Sequence, residues 1–146
     1  MKEDTYWLGK NVYYEARDEG FQGWLAVTNV ILNRRSDGRW PQTVKGVVTA
    51  GTERGTRCDF SWYCDGLPDT PKLWQNKLKL QVFYLIAGGF MSLKALGLLP
   101  DNTKGAHSYQ RKELQDEEGW FGLLEATVVI NNHKFYRDKK SPSLQN

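Results

Sequence analysis

Apolar residues along the first third of the chain recur at helical spacing. Leu8, Val12, Glu15 and Ala16 follow one another at steps of four, three and one, the core-facing stripe of an amphipathic helix that Asp4 or Thr5 can cap and that runs to about Arg17, with Gly20 marking the break. Trp24, Val27, Val30, Ile31 and Leu32 give a broad apolar surface from Phe21 to about Arg34, so this second helix is the buried central one, and Ser36-Asp37-Gly38 stops it. A short helix is predicted over Val44–Thr49, with Thr43 as its cap and Gly51 as its terminator. Between Gly51 and Thr70 neither period is sustained, and the stretch reads as a long ordered loop or irregular hairpin. Thr70-Pro71 opens the next helix, which continues through Leu73, Trp74, Leu78, Val82, Leu85 and Ile86 to a stop at Gly88-Gly89.

The remaining third changes character. Phe90–Leu99 is apolar and fits a short helix, Pro100–Thr103 is turn chemistry, Gly105–Tyr109 a short extended piece, and Glu113–Gly119 an acidic surface loop. Glu125–Ile130 is β-prone, and Asn131-Asn132 before Lys134-Phe135-Tyr136 predicts a hairpin, followed by a polar, frayed end from Lys139 to Asn146. These elements predict one α+β domain over residues 1–146, mainly α-helical, with a small β-hairpin element.

Composition narrows the classes. With 40% hydrophobic and 25% charged residues the chain is of ordinary globular type, neither disordered nor fibrous. A net charge of +3 favours approach to an acidic polymer, but Lys and Arg are interleaved with acids rather than gathered in a stripe, so no nucleic-acid partner is expected. No apolar run is long enough to span a bilayer, and no membrane insertion is expected. The polar start, Met1 to Thr5, shows no signal peptide, so the expectation is synthesis in the cytoplasm, and a monomer. Cys58 and Cys64, six residues apart, are either a short disulfide loop or two free thiols.

The chemistry starts from Glu15, a carboxylate where the helical stripe calls for an apolar residue. Set among Trp7, Tyr13 and Tyr14 it loses hydration, which raises its pKa toward what a general acid requires; the alternative is a structural ion pair with an arginine. Glu19, one turn further on the same face, serves either as a second carboxylate or, the reading we favour, in a structural role such as pairing with Arg17 or Arg34. A thiol hydrolase built on Cys58 or Cys64 with His107 or His133 is disfavoured by the closeness of the two cysteines. A metal amidase built on the two histidines and a carboxylate has no H-x-x-H spacing behind it, so neither a metal nor a cofactor is expected. Glycoside cleavage, which needs one protonated carboxyl beside a sugar cleft, fits these residues best.

The segments Tyr14–Glu19, Gly23–Val27, Ile31–Arg34, Trp40–Val44, Cys58–Gly66, Asn102–Ala106 and Asn132–Tyr136, in that order, resemble the spore-cortex-lytic type of cell wall hydrolase over roughly residues 8 to 137. The resemblance implies a lysozyme-like, mainly helical fold that cleaves the glycan strand of peptidoglycan between N-acetylmuramic acid and N-acetylglucosamine. It implies Glu15 as the catalytic acid, acting as a lytic transglycosylase or muramidase; Glu19 stands beside it as a catalytic candidate on its helical spacing alone. Phe60, Ser61 and Asp65 would form part of the cleft wall, with Tyr109, His133 and Tyr136 completing the substrate contacts. Family members usually carry Gly at the positions of Asp18 and Asn131, Gln at Asp59, and His near Gln110. Combined with the cytoplasmic expectation, the resemblance suggests a bacteriophage endolysin that reaches the wall at lysis. The alternatives are a non-catalytic peptidoglycan-binding protein and an N-acetylmuramoyl-L-alanine amidase.

Overall fold

The computed structural model describes residues 2–52, 58–114 and 120–138. Among these, α1 (Glu3–Ala16), α2 (Gly20–Ser36), α3 (Val44–Val48) and α4 (Trp74–Ala95) form a helical body, and β1 (Ser108–Arg111), β2 (Glu125–Ile130) and β3 (His133–Arg137) form an antiparallel sheet in the order β1-β3-β2. The mainly helical α+β expectation holds, with a third strand beyond the hairpin.

The α1 stripe does what its spacing predicts: Leu8, Val12 and Ala16 are buried, and α1 packs on α2, α3 and α4. Its contact with α4 is close because residue 9 is glycine. A Cβ there would stand 2.7 Å from Tyr84 Cδ1 and 3.0 Å from Tyr84 Cα, inside van der Waals contact with the facing backbone. Helix α2 is the central element. Val27, Ile31 and Leu32 join the main core with α1, α3 and α4, while Ala26 and Val30 turn the other way onto Ala106 and Phe135, a small second core that fastens the sheet.

Several element ends differ from the sequence reading. Helix α1 begins at Glu3 without a side-chain cap; Glu3 and Asp4 lie within its first turn, where their charge complements the helix dipole. Helix α4 begins at Trp74 after Leu73, so Thr70 and Pro71 precede it rather than open it. It also runs through Gly88-Gly89 to Ala95, because Ala87 and Phe90 on either side are buried and hold the helix together. The stop is Gly97, at φ +72°, where Leu98 N donates to Leu93 O (2.8 Å) and Gly97 N to Lys94 O (3.0 Å), a Schellman end. The predicted cap of α3 is present, with Thr43 accepting from Gly46 N.

The extended piece is displaced to Ser108–Arg111 and pairs with β3 in the register Tyr109↔Phe135. The Asn131-Asn132 turn is found, Asn131 at φ +54°, a left-handed conformation in which Gly or Asn is least strained. Most of the acidic loop expected at Glu113–Gly119, and all of Lys139–Asn146, lie outside the described residues.

Candidate active site

Helix α2 carries the segment that leads into the sheet. Asn29 Nδ2 donates to Leu25 O (3.1 Å) and Pro100 O (3.0 Å), and one turn on Asn33 Nδ2 donates to Ala106 O and Asp101 Oδ2, both at 3.0 Å. Arg34 completes the row: its Nε donates to His107 O at 2.6 Å and Nη2 to Ser108 Oγ at 3.4 Å. These bonds set residues 100–108 along α2, and so aim β1 at the C-terminal turn of α1. The result is that Tyr109, from β1, donates its hydroxyl to Glu15 Oε1 across 94 residues of sequence.

Glu15 thus sits at the junction of three elements. Burial raises its pKa above the ordinary carboxylate value; the Tyr109 hydrogen bond and the positive charge toward His133 and Arg34 pull the other way without cancelling the rise. Burial also pushes the Tyr109 phenol well above 10, so it stays a hydrogen-bond donor at every working pH. Arg34 is buried beside them with its guanidinium 5.5 Å from the Trp40 ring and 5.4 Å from the Phe60 ring, and with Asp59 Oδ2 at 3.5 Å from Nη1.

Two cavities open on Glu15. One, of about 580 Å³, is walled by Glu15, Arg34, Trp40, Asp59, Phe60 and Phe121, among others. A smaller one, about 270 Å³, is lined by Tyr14, Glu15, Asp18, Glu19, Asn132 and His133, among others. Glu15 belongs to both walls. Trp40 and Phe121 are partly exposed at the larger cavity, whereas Phe60 is buried with the Arg34 guanidinium over its ring.

Of the residues singled out from sequence, Glu15, Tyr109 and Phe60 come together in the larger cavity, and Glu19 and His133 face the smaller. Glu19 Oε1 lies 2.9 Å from His133 Nδ1, a pairing with the hairpin rather than with Arg17 or Arg34. Since α1 ends at Ala16, Glu19 is not on its face but in the turn that leads into α2, and this turn is tied to the hairpin by Asn131 Nδ2, which donates to Glu19 O at 2.8 Å. Ser61 and Asp65 stand on the exposed 3-10 turn and just after it, outside both walls, with Asp65 accepting from Leu67 N. Tyr136 is buried at 1% exposure, where its hydroxyl accepts from Gln110 Nε2 and its ring meets Phe121; it supports the wall from behind. Cys58 and Cys64 are joined as a disulfide, the first of the two options, which closes the loop that carries Asp59 and Phe60.

Trp40, Phe121 and Ser108 were not foreseen as wall residues, and Arg34 only as an ion-pair partner. Arg34 had a signal: Val27, Ile31 and Arg34 are spaced as one helical stripe, so it is a charge at an apolar position, as Glu15 is. Among the described residues no group of three His, Cys, Asp or Glu side chains could hold a metal. The two histidines have separate surroundings, His107 stacked on Trp40 with Asp37 Oδ2 at 3.4 Å, and His133 on Glu19.

The fold is similar to that of two solved catalytic domains. The catalytic domain of the germination-specific lytic transglycosylase SleB from Bacillus anthracis superposes with TM-score 0.63 at 23% identity, covering 94% of this chain and 97% of that one. The catalytic domain of the Bacillus cereus SleB protein gives 0.62 at 25% identity, covering 92% and 89%. Over 47 residues the chain is 43% identical to the spore cortex-lytic enzyme of Oceanobacillus iheyensis, a stretch that spans 32% of this chain and 17% of that protein. The family model described as cell wall hydrolase matches residues 18–136, beginning just after Glu15. Since that match takes in most of the sequence, the chain belongs to the cell wall hydrolase family.

Proposed function

We propose that this chain is a peptidoglycan glycosidase that cleaves the glycan strand between N-acetylmuramic acid and N-acetylglucosamine with Glu15 as general acid. The observation that carries the reading is the Glu15 carboxyl, raised in pKa by burial, held by Tyr109, and shared by two cavities that can take sugars on both sides of a scissile bond. The protonated carboxyl gives its proton to the glycosidic oxygen as the bond to the anomeric carbon breaks, and an oxocarbenium-like sugar is left. The resulting Glu15 carboxylate is stabilised by the Tyr109 hydroxyl and the nearby Arg34 charge.

A lytic transglycosylase route accounts best for the second half. Glu19 is engaged with His133 and Asp59 with Arg34, so neither is set up as a base or nucleophile. The muramic acid 6-hydroxyl then attacks the anomeric carbon and returns its proton to Glu15, closing a 1,6-anhydro ring with no net proton change. Glu19 and His133 act as positioning residues that fix the helix end and the hairpin around the smaller cavity. The setting we propose is that of an endolysin, in which a modest positive charge assists approach to acidic wall polymers. Cells that produce the chain would then lyse once their inner membrane is permeabilised, and lysis that does not depend on permeabilisation would refute this setting.

Digestion of purified wall followed by mass analysis of the products tests the chemistry. Anhydro-muramic ends are expected, and Glu15→Gln should reduce their rate of formation by roughly 10²–10⁴-fold while wall binding persists. Reducing muramic ends would replace this route with a muramidase, and free stem peptides with an amidase. Equal rates for wild type and Glu15→Gln would remove Glu15 from the mechanism.

A further inference from the structure

Helix α4 is apolar on the wrong side as well as the right one. Its inner face buries Leu80, Phe83, Tyr84, Ala87 and Phe90 against the core. Its outer face carries Trp74, Leu78, Val82 and Leu85, spaced i, i+4, i+8 and i+11, which are 70%, 59%, 46% and 77% exposed. The strip continues past Gly89 to exposed Leu93 and Leu96. A surface helix presents polar residues on the side away from the core, and one that is apolar all round has a partner on both sides.

The charges say which partner. From Thr70 to Pro100 the chain has Lys72, Lys77, Lys79 and Lys94 and no Asp or Glu, although acids (17) and bases (20) are nearly balanced over the whole sequence. On the helix Lys77 and Lys79 fall on opposite flanks of the strip, both exposed. Two copies meeting face to face would bring lysine rims against lysine rims. A surface that is apolar inside and negative at its edge, in every register along a helix about 33 Å long, matches both features. We infer that the outer face of α4 docks on an anionic lipid bilayer, lying in the plane of the interface with Trp74, Leu78, Val82 and Leu85 among the acyl chains and Lys77 and Lys79 at the headgroups. It lies on the membrane and does not cross it: among the described residues no helix is long and apolar enough to span one.

This docking is independent of the chemistry proposed for Glu15, and its test reads lipid binding rather than wall cleavage. The full chain is sedimented with phosphatidylcholine vesicles with and without phosphatidylglycerol. The expected result is binding to the anionic vesicles alone, weakened by salt, with a blue shift of tryptophan emission that Trp74→Phe removes. Lys77→Gln with Lys79→Gln should weaken binding about 25-fold, at roughly fivefold for each basic residue. Leu85→Glu should abolish it while the circular dichroism spectrum and the activity on lipid-free wall stay as in the wild type, since Leu85 is exposed and lines neither cavity at Glu15. Binding equal for both vesicle types, binding to neither, or undiminished binding by Leu85→Glu would overturn the inference. So would a concentration-dependent dimer in analytical ultracentrifugation that Leu85→Glu dissolves, which would give the face to a second copy.

Discussion

At the scale of single residues, function and stability place opposite demands on two carboxyls. Glu15 has a raised pKa, so the folded chain holds its proton more tightly than the unfolded chain does. Its contribution favours the fold at low pH and is lost as pH rises through the folded value, and the protonated form that the proposed mechanism requires disappears over the same window. Wall cleavage therefore falls on the alkaline side as Glu15 ionises. Because the Tyr109 hydrogen bond lowers the Glu15 pKa, Tyr109→Phe should move that limb of the kcat/KM profile to higher pH, besides lowering the rate through poorer placement of the carboxyl. A limb that stays put or moves down would assign the titration to another group. Asp101 behaves the other way. Burial pushes its pKa up, but hydrogen bonds from Thr103, Asn33 and Gly105 more than offset this and bring it below the ordinary aspartate value. That stabilisation is present above the unfolded pKa and disappears as pH falls through the folded one. Urea unfolding should find Asp101→Asn less stable than the wild type at neutral pH, with the difference closing as pH drops below about 3.9.

At the scale of elements, what the sequence could reveal depended on how local the cause was. Helices α1 and α2 were legible because each buries a stripe at its own period, and Glu15 was legible as the charge that interrupts one. Arg34 interrupts the next stripe in the same way, and the signal went unused. The end of α4 was not legible, because Gly88-Gly89 is a strong local stop that loses to the burial of Ala87 and Phe90 on either side. Strand β1 was misplaced for the converse reason: Ser108–Arg111 has no strand pattern of its own and is extended because β3 pairs with it and Arg34 holds its entry. Trp40 and Phe121 were hidden among the 13% of aromatic residues, most of which pack in cores. Two glycines test the reading of α4. Gly88→Ala would place a methyl 3.7 Å from Thr5 Cγ2, an ordinary contact, and should stabilise the chain by about 0.5–1 kcal/mol. Gly9→Ala, against the α4 backbone, should cost about 1–3 kcal/mol because the two helices must move apart. Chemical denaturation of both variants checks the pair, and a Gly9→Ala variant as stable as the wild type would mean that the helices are not in close contact.

At the scale of the whole molecule, the proposed catalytic geometry spans two cores of unequal size. Glu15, Arg34 and the aromatic wall at Phe60 belong to the large helical core or its edge, whereas Tyr109 and His133 ride on the sheet. Apart from polar ties such as Arg34 to His107 O and the packing of Tyr109 against the large core, the sheet is joined to the helices by the small cluster of Ala26, Val30, Ala106 and Phe135. Phe135 is the largest member of that cluster and is the register partner of Tyr109, with ring centroids 5.4 Å apart. Damage to the two cores should therefore have different consequences. Val47→Ala, deep in the helical core, should remove on the order of 2 kcal/mol of stability and leave kcat per folded molecule unchanged, since α3 takes no part in the cleft walls. Phe135→Leu keeps an apolar side chain but removes the flat ring; it should cost on the order of 1–3 kcal/mol, and the Tyr109 ring loses a surface that orients it toward Glu15. Its kcat should fall while the chain remains folded, and its alkaline limb should shift in the same direction as that of Tyr109→Phe. Comparison of stability and kcat for the two variants separates the cases: a Phe135→Leu enzyme with wild-type kcat and pH profile would mean that Tyr109 is placed without help from the Phe135 ring.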